Sequence, residues 1–293
     1  MSGGEGFVML QRRSLRLFLL SVCLALAGEA NSAPIIPEGD GRQTVELAGK
    51  RWTIFTYRPS ACSPASLLLL FHGRGGVRHY RGDAHVLADK LCAIVIAPRF
   101  QTKTSHYQQG GIVRKGVVQP ERKWTVNVVT PLAQWARTQT GIDQYNLIGH
   151  SAGAQFLSRV AAFHDDAARR IVIANPSTYV FPSLDVKAPF GLGGVYPDTE
   201  AEARLRDYLA RPVTIYLGEA DTNEEARDLN RSPDAMAQGK TRLERGMKTF
   251  EDAQQLAAKQ NWPFNWRLVR LPGVGHSARK MFSAPEAIEA LRP

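Results

Sequence analysis

Cysteine is scarce in this chain, with three among 293 residues, at positions 23, 62 and 92. The first lies in an N-terminal apolar run, so the rest of the protein has material for a single disulfide. Long apolar runs are also missing. The N-terminal one, residues 17–27, falls well short of the roughly 20 residues a helix needs to span a bilayer, so no stable membrane anchor is expected. None of the seven histidines forms a His-Glu-x-x-His pair, which removes support for zinc catalysis, and no metal or other cofactor is expected. No Gly-Lys-Ser/Thr follows the glycine-rich turn at residues 73–76, which excludes a phosphate loop. The basic pairs Arg114-Lys115, Arg122-Lys123 and Arg169-Arg170 are scattered and no nucleic-acid motif accompanies them, so nucleic acid is not expected as a partner. Internal repeats and low-complexity linkers are absent, and one domain is the simpler count.

What is present describes a globular enzyme-sized chain. Hydrophobic residues make up 44% and charged residues 22%, enough to bury a sizeable core. Arg12, Arg13 and Arg16 precede the apolar run, and small residues follow it to Ala33, the layout of a cleavable export signal. Residues 1–33 therefore read as a leader and 34–293 as the mature domain, with a periplasmic or extracellular location. The formal net charge is +10; without the leader, 34 basic residues still face 25 acidic ones. Such a surface attracts anionic envelopes or acidic substrates. Arg99, Arg114 and Lys115 nevertheless read as solvated loop charges.

Residues 44–47 and 51–57 alternate around Ala48-Gly49-Lys50 and predict an N-terminal β-hairpin. Six unalternating runs follow: "SLLLLFHG", "AIVIAP", "YNLIGH", "RIVIAN", "VTIYLG" and "WRLVRLP". Strands of that composition are covered on both faces. Amphipathic stretches at 81–91, 123–138, 152–163, 200–209, 243–259 and 278–291 alternate with them. The pattern predicts an α/β fold, a mostly parallel central sheet with helices on both faces. Two polar or aromatic segments break the rhythm, at about 99–122 and 176–211. Both leave from carboxyl ends of strands, where ligands bind in such sheets, and the second suits an acyl chain or ring. Cys62 and Cys92 each precede a strand; if those strands are parallel neighbours, a disulfide is feasible, contributing about 3–4 kcal/mol by closing a loop of roughly thirty residues. Two buried free thiols are the alternative.

In "YNLIGHSAGAQF", residues 145–156, a strand gives way to a helix through a serine set between glycines. A serine hydroxyl needs to be lifted clear of the sheet, placed against an imidazole, and given amides that hold an oxyanion. A tight turn does the lifting, and Gly149 and Gly153 remove side chains that would collide. The amide of Ala152, at the helix start, faces the developing charge. In "LFHGRGG", residues 70–76, the amide of Arg74 or Gly75 offers a second oxyanion donor. Asp221, four residues past Leu217 in "VTIYLGEADTN", suits the carboxylate that orients an imidazole, with Glu219 as competitor. His276, in the loop after the last strand, is the histidine with a fitting place; His72 and His150 read as structural or pocket-lining.

The order Ser151, Asp221, His276, each after a strand, resembles the α/β-hydrolase fold. In overall plan the chain is similar to secreted single-domain esterases, polyhydroxybutyrate depolymerase-like and feruloyl esterase-like enzymes. The resemblance implies Ser151 as nucleophile, His276 as base then acid, Asp221 as its orienter, and no cofactor. The expected activity is hydrolysis of a small-molecule or oligomeric carboxylic ester through an acyl-enzyme. A serine peptidase or amidase of the same fold, or a non-catalytic binding protein, are the alternatives. No threonine-rich linker or binding domain of the kind many extracellular depolymerases carry is found.

Overall fold

The computed structural model describes residues 1, 3, 4, 36–101 and 107–293. Apart from three residues near the terminus, the leader expected over 1–33 lies outside the described residues. Pro34–Pro293 forms a compact unit by itself.

The hairpin consists of Gly39–Leu47 (β1) and Lys50–Arg58 (β2), paired antiparallel with Leu47 opposite Lys50. Its two-residue turn puts Ala48 at φ 49° and Gly49 at φ 71°, the left-handed pair whose twist matches that of the flanking strands. The six apolar runs form Ser66–Phe71 (β3), Ala93–Pro98 (β4), Tyr145–His150 (β7), Ile171–Ala174 (β8), Val213–Gly218 (β9) and Arg267–Leu271 (β10). Between β4 and β7, the first insertion carries a small antiparallel pair, Val113–Arg114 (β5) and Val117–Val118 (β6), which the sequence pattern did not announce. The main sheet runs β1-β2-β4-β3-β7-β8-β9-β10, antiparallel through β2 and parallel from β4 onward.

Alternate residues of β3 enter opposite layers, which explains its unbroken apolar run. Leu67, Leu69 and Phe71 join a core with Val129–Thr140 (α3), Ala152–Phe163 (α4), Asp198–Ala210 (α5) and Arg242–Gln260 (α7). Leu68 and Leu70 join another with Val77–Asp83 (α1), His85–Leu91 (α2), Ala278–Ser283 (α8) and Pro285–Leu291 (α9). A single turn, Pro233–Met236 (α6), precedes α7. The helix expected over 278–291 is broken at Ala284, because Pro285 pushes the residue before it out of helical geometry, to ψ 149°. The helix expected over 81–91 starts earlier and divides at Ala84. That expected from 123 begins at Val129, after short 3-10 turns.

β3 and β4 are parallel neighbours with Ser66 opposite Ala93, so Cys62 and Cys92 meet at one end of the sheet and are joined in a disulfide. The chain leaves β3 toward β4 on one side and leaves β7 toward β8 on the other. Between β3 and β7 this creates a crevice at the carboxyl edge, where doubly wound sheets bind ligands. Among the described residues, no helix is long and apolar enough to cross a membrane.

Candidate active site

Ser151 sits directly after β7 at the crevice, with φ 58° and ψ −118°. Left-handed backbone at a non-glycine residue is strained and persists only where the surroundings hold it. Here its amide donates to Ala174 O of β8 at 3.0 Å, and its carbonyl accepts from Gln155 N at 3.0 Å as α4 begins. Such a turn needs its glycines. A Cβ on Gly153 would lie 1.8 Å from Phe71 O, and one on Gly149 would lie 2.6 Å from the Gly153 carbonyl. Gly149 and Gly153 thus let α4 start against the end of β3.

The loops after β9 and β10 deliver the other two residues. Ala220 N donates to Val274 O at 2.9 Å and Glu219 N to Leu271 O at 3.0 Å, which laces the loops together. Asn175, after β8, accepts from Gly218 N at 2.9 Å through its Oδ1. The result is a relay: His276 Nε2 lies 3.0 Å from Ser151 Oγ, and His276 Nδ1 lies 2.7 Å from Asp221 Oδ2. Asp221 is 3% exposed and His276 24%. Glu219, the competitor, instead pairs with Arg270 at the surface, 3.2 Å away.

Ala152, Arg74 and Ser151 line one cleft of about 170 Å³, together with Gln155, Ser177, Arg227 and Asp228. The Ala152 amide opens α4, so no carbonyl one turn earlier is available to it. Gly75 faces a separate cleft beside Arg42, Arg78 and Arg99, which leaves Arg74 as the residue of that pair placed beside Ser151. His72 fastens this turn: Phe100 N donates to its Nε2 at 3.0 Å, so its Nδ1 carries the proton and donates to Gly73 O at 2.9 Å. Burial lowers its pKa, in keeping with a fixed neutral tautomer.

The second insertion reaches the serine's cleft through Ser177, but its aromatic rings do not line it. Tyr179 and Tyr208 are core residues, and Phe181 and Phe190 border a different groove of about 670 Å³. The cleft walls are polar. Two of the residues around the relay escaped the sequence reading, Asp228 and Arg242. Arg242 Nη1 lies 3.4 Å from Asp221 Oδ1, and its Nη2 donates to Asp228 Oδ1 at 2.6 Å. A cation at the first position of a helix opposes the helix dipole; that oddity, just after the Thr241 cap, was the available signal.

A family model described as the alpha/beta hydrolase fold matches residues 66–268. Among solved structures, poly(aspartic acid) hydrolase-1 from Sphingomonas sp. KT-1 is 31% identical, with TM-score 0.79, over 86% of this chain and 99% of that one. LpqC, a poly(3-hydroxybutyrate) depolymerase from Bordetella parapertussis, is 28% identical, with TM-score 0.77, over 86% and 90%. Carboxyl esterase 2 from Tuber melanosporum, at 16% identity, TM-score 0.50 and coverage of 90% and 86%, shares the fold. No curated protein sequence matches. Because the family model spans most of the chain, this chain belongs to the α/β-hydrolase fold family and is a hydrolase.

Proposed function

We propose that the chain is a serine hydrolase cleaving carboxylic esters through an acyl-enzyme. The observation that carries this reading is the unbroken relay from Ser151 Oγ through His276 to Asp221, at 3.0 and 2.7 Å, on a strained elbow. Ser151 Oγ attacks the carbonyl carbon as its proton passes to His276 Nε2. Asp221 accepts Nδ1–H, fixes the tautomer and stabilises the imidazolium. Amides of Ala152 and of Arg74, with Gly75 the alternative, receive the oxyanion. The proton on Nε2 then moves to the leaving oxygen as the carbon–oxygen bond breaks, and water repeats the sequence to release the acid. Hydrolysis of an amide is the second reading, favoured by the 31% identity to a poly(aspartic acid) hydrolase and by the cationic Arg74 and Arg227 in the cleft.

An ester panel of increasing acyl length, run on the mature protein, tests the proposal. Ser151→Ala should abolish turnover while thermal unfolding is retained, and a fluorophosphonate should label Ser151. Turnover surviving in Ser151→Ala overturns the mechanism, and a native protein that resists the probe is a binding protein instead.

We further place the mature domain outside the cytoplasm, periplasmic or extracellular. The Cys62–Cys92 disulfide supports this, since such bonds persist in oxidising compartments. Intact mass of the protein recovered after expression should show a start between residues 28 and 34 in the exported fraction. A full-length chain retained inside the cell contradicts it.

A further inference from the structure

The loop after β9 sends a second carboxylate to the histidine. Asp228 Oδ2 lies 3.6 Å from His276 Nε2, the same nitrogen that faces Ser151 Oγ at 3.0 Å. Asp228 also lines the Ser151 cleft. A single guanidinium, Arg242, 1% exposed, holds the far oxygen of each carboxylate: Asp228 Oδ1 at 2.6 Å and Asp221 Oδ1 at 3.4 Å. The near oxygens are thereby left for the imidazole, one at each ring nitrogen. Burial by itself would raise the Asp228 carboxyl; the charge and hydrogen bond of Arg242, aided by His276, outweigh it and hold the pKa below its usual value. Asp228 is an anion at neutral pH.

We propose that Asp228 is a positioning residue for the protonated form of His276, acting at departure of the leaving group. This rests on the serine-hydrolase reading above. While His276 is neutral, its Nε2 lone pair accepts from the Ser151 hydroxyl, and a carboxylate nearby has nothing to bond. Once Nε2 carries the serine's proton, it is a cationic donor, and Asp228 attracts it. Held in this way, the ring keeps its Nε2–H aimed at the leaving oxygen while the carbon–oxygen bond breaks, a task the resting enzyme does not have, so the contact assists departure rather than substrate binding. Asp228 stays ionised throughout; the proton leaves Nε2 for the leaving oxygen, and neutral His276 returns. Because Asp228 borders the cleft, it holds the Nε2–H edge of the ring toward the space the leaving group occupies. Neither of the other groups facing the ring can do the same. Asp221 is at the opposite nitrogen, and His150 lies tilted beside the ring, centroids 4.6 Å apart, and is an imidazole rather than an anion.

Leaving-group dependence distinguishes this role from a purely structural one. A p-nitrophenolate departs without protonation, whereas an alkoxide needs the proton from Nε2. In the full mature chain, Asp228→Asn should lower kcat/KM for an ethyl ester by roughly 10- to 100-fold, the scale of one charge-assisted contact, with KM nearly unchanged. The p-nitrophenyl ester of the same acid should lose less than about 3-fold. Asp228→Glu should recover part of the ethyl ester activity and guards against a misfolded Asn variant. Equal losses on both esters would mean that Asp228 merely braces Arg242, and no loss on either would mean a surface ion pair; each outcome overturns the inference alone. A native chain inactive on both esters removes the ester reading and this inference together.

Discussion

His150 and His276 stand ring against ring, their centroids 4.6 Å apart, yet their surroundings are opposite. His276 is partly open to solvent and has a carboxylate near each nitrogen, Asp221 at 2.7 Å and Asp228 at 3.6 Å. His150 is 1% exposed; its Nδ1 lies 3.1 Å from the Tyr80 hydroxyl, while its buried Nε2 has no hydrogen-bond partner among the described residues. Burial, with the charges of His276 and Arg242 adding to it, pushes the His150 pKa well below the ordinary value. In the proposed mechanism one imidazole carries a proton during turnover, and the other is kept neutral beside it. Residue type and position along the sheet edge are nearly the same; the placement of two aspartates and one arginine separates base from wall.

Arg242 sustains that separation, and removing it should produce the larger effect. Arg242→Met leaves Asp221 and Asp228 as neighbouring carboxylates without their shared cation. Breaking a buried pair in this way costs about 3–5 kcal/mol, and ester turnover should fall with it as Asp221 loses its fixed orientation. Urea unfolding and turnover measured on the same preparation check both. Arg242→Lys restores the charge without the two-pronged geometry and should recover stability more than activity. If Arg242→Met unfolds like the native protein, the two carboxylates do not depend on it and the contrast between the histidines has another origin.

The legible and illegible parts of the site divide along the same line. Ser151 and Asp221 each follow a strand that is buried almost throughout; β10, before His276, lies at the sheet's edge and exposes Arg267 and Arg270, so its apolar residues alone made it legible. The elbow could be read from glycines whose absence of Cβ is a steric necessity. Asp228 lies ten residues beyond Gly218, in a loop without periodicity, so nothing local tied it to the histidine; only the guanidinium at the head of α7 draws it in. The insertion misled for a related reason. Its aromatic composition resembled an acyl pocket, but the segment folds around Arg159, which is fully buried and pairs with no acid among the described residues. Arg159 donates to Gln155 O, Thr178 O and Oγ1, Tyr179 O and Pro189 O, at 2.8 to 3.4 Å. A cation held largely by carbonyls draws the backbone at Thr178 and Tyr179 inward and places the Tyr179 ring in the core, and composition alone does not reveal that.

The smaller effect tests the neutral half of the comparison. In the unfolded chain His150 titrates near its ordinary value of 6.5, whereas in the folded protein it resists protonation. Below that pH the unfolded state binds a proton that the folded state refuses, so stability is lost as pH falls and regained as it rises. One such group accounts for on the order of 1 kcal/mol as pH falls through its unfolded value. His72 and His164 are also lowered, chiefly by burial, and act in the same direction, so the native slope alone is not diagnostic. His150→Leu isolates the contribution. It strands the Tyr80 hydroxyl at a cost that does not vary with pH in this range, but its stability should decline less than the native protein's as pH falls, by on the order of 1 kcal/mol. Parallel stability curves for the two proteins would mean that His150 accepts a proton in the folded state, and then the two adjacent imidazoles share charge instead of dividing the labour.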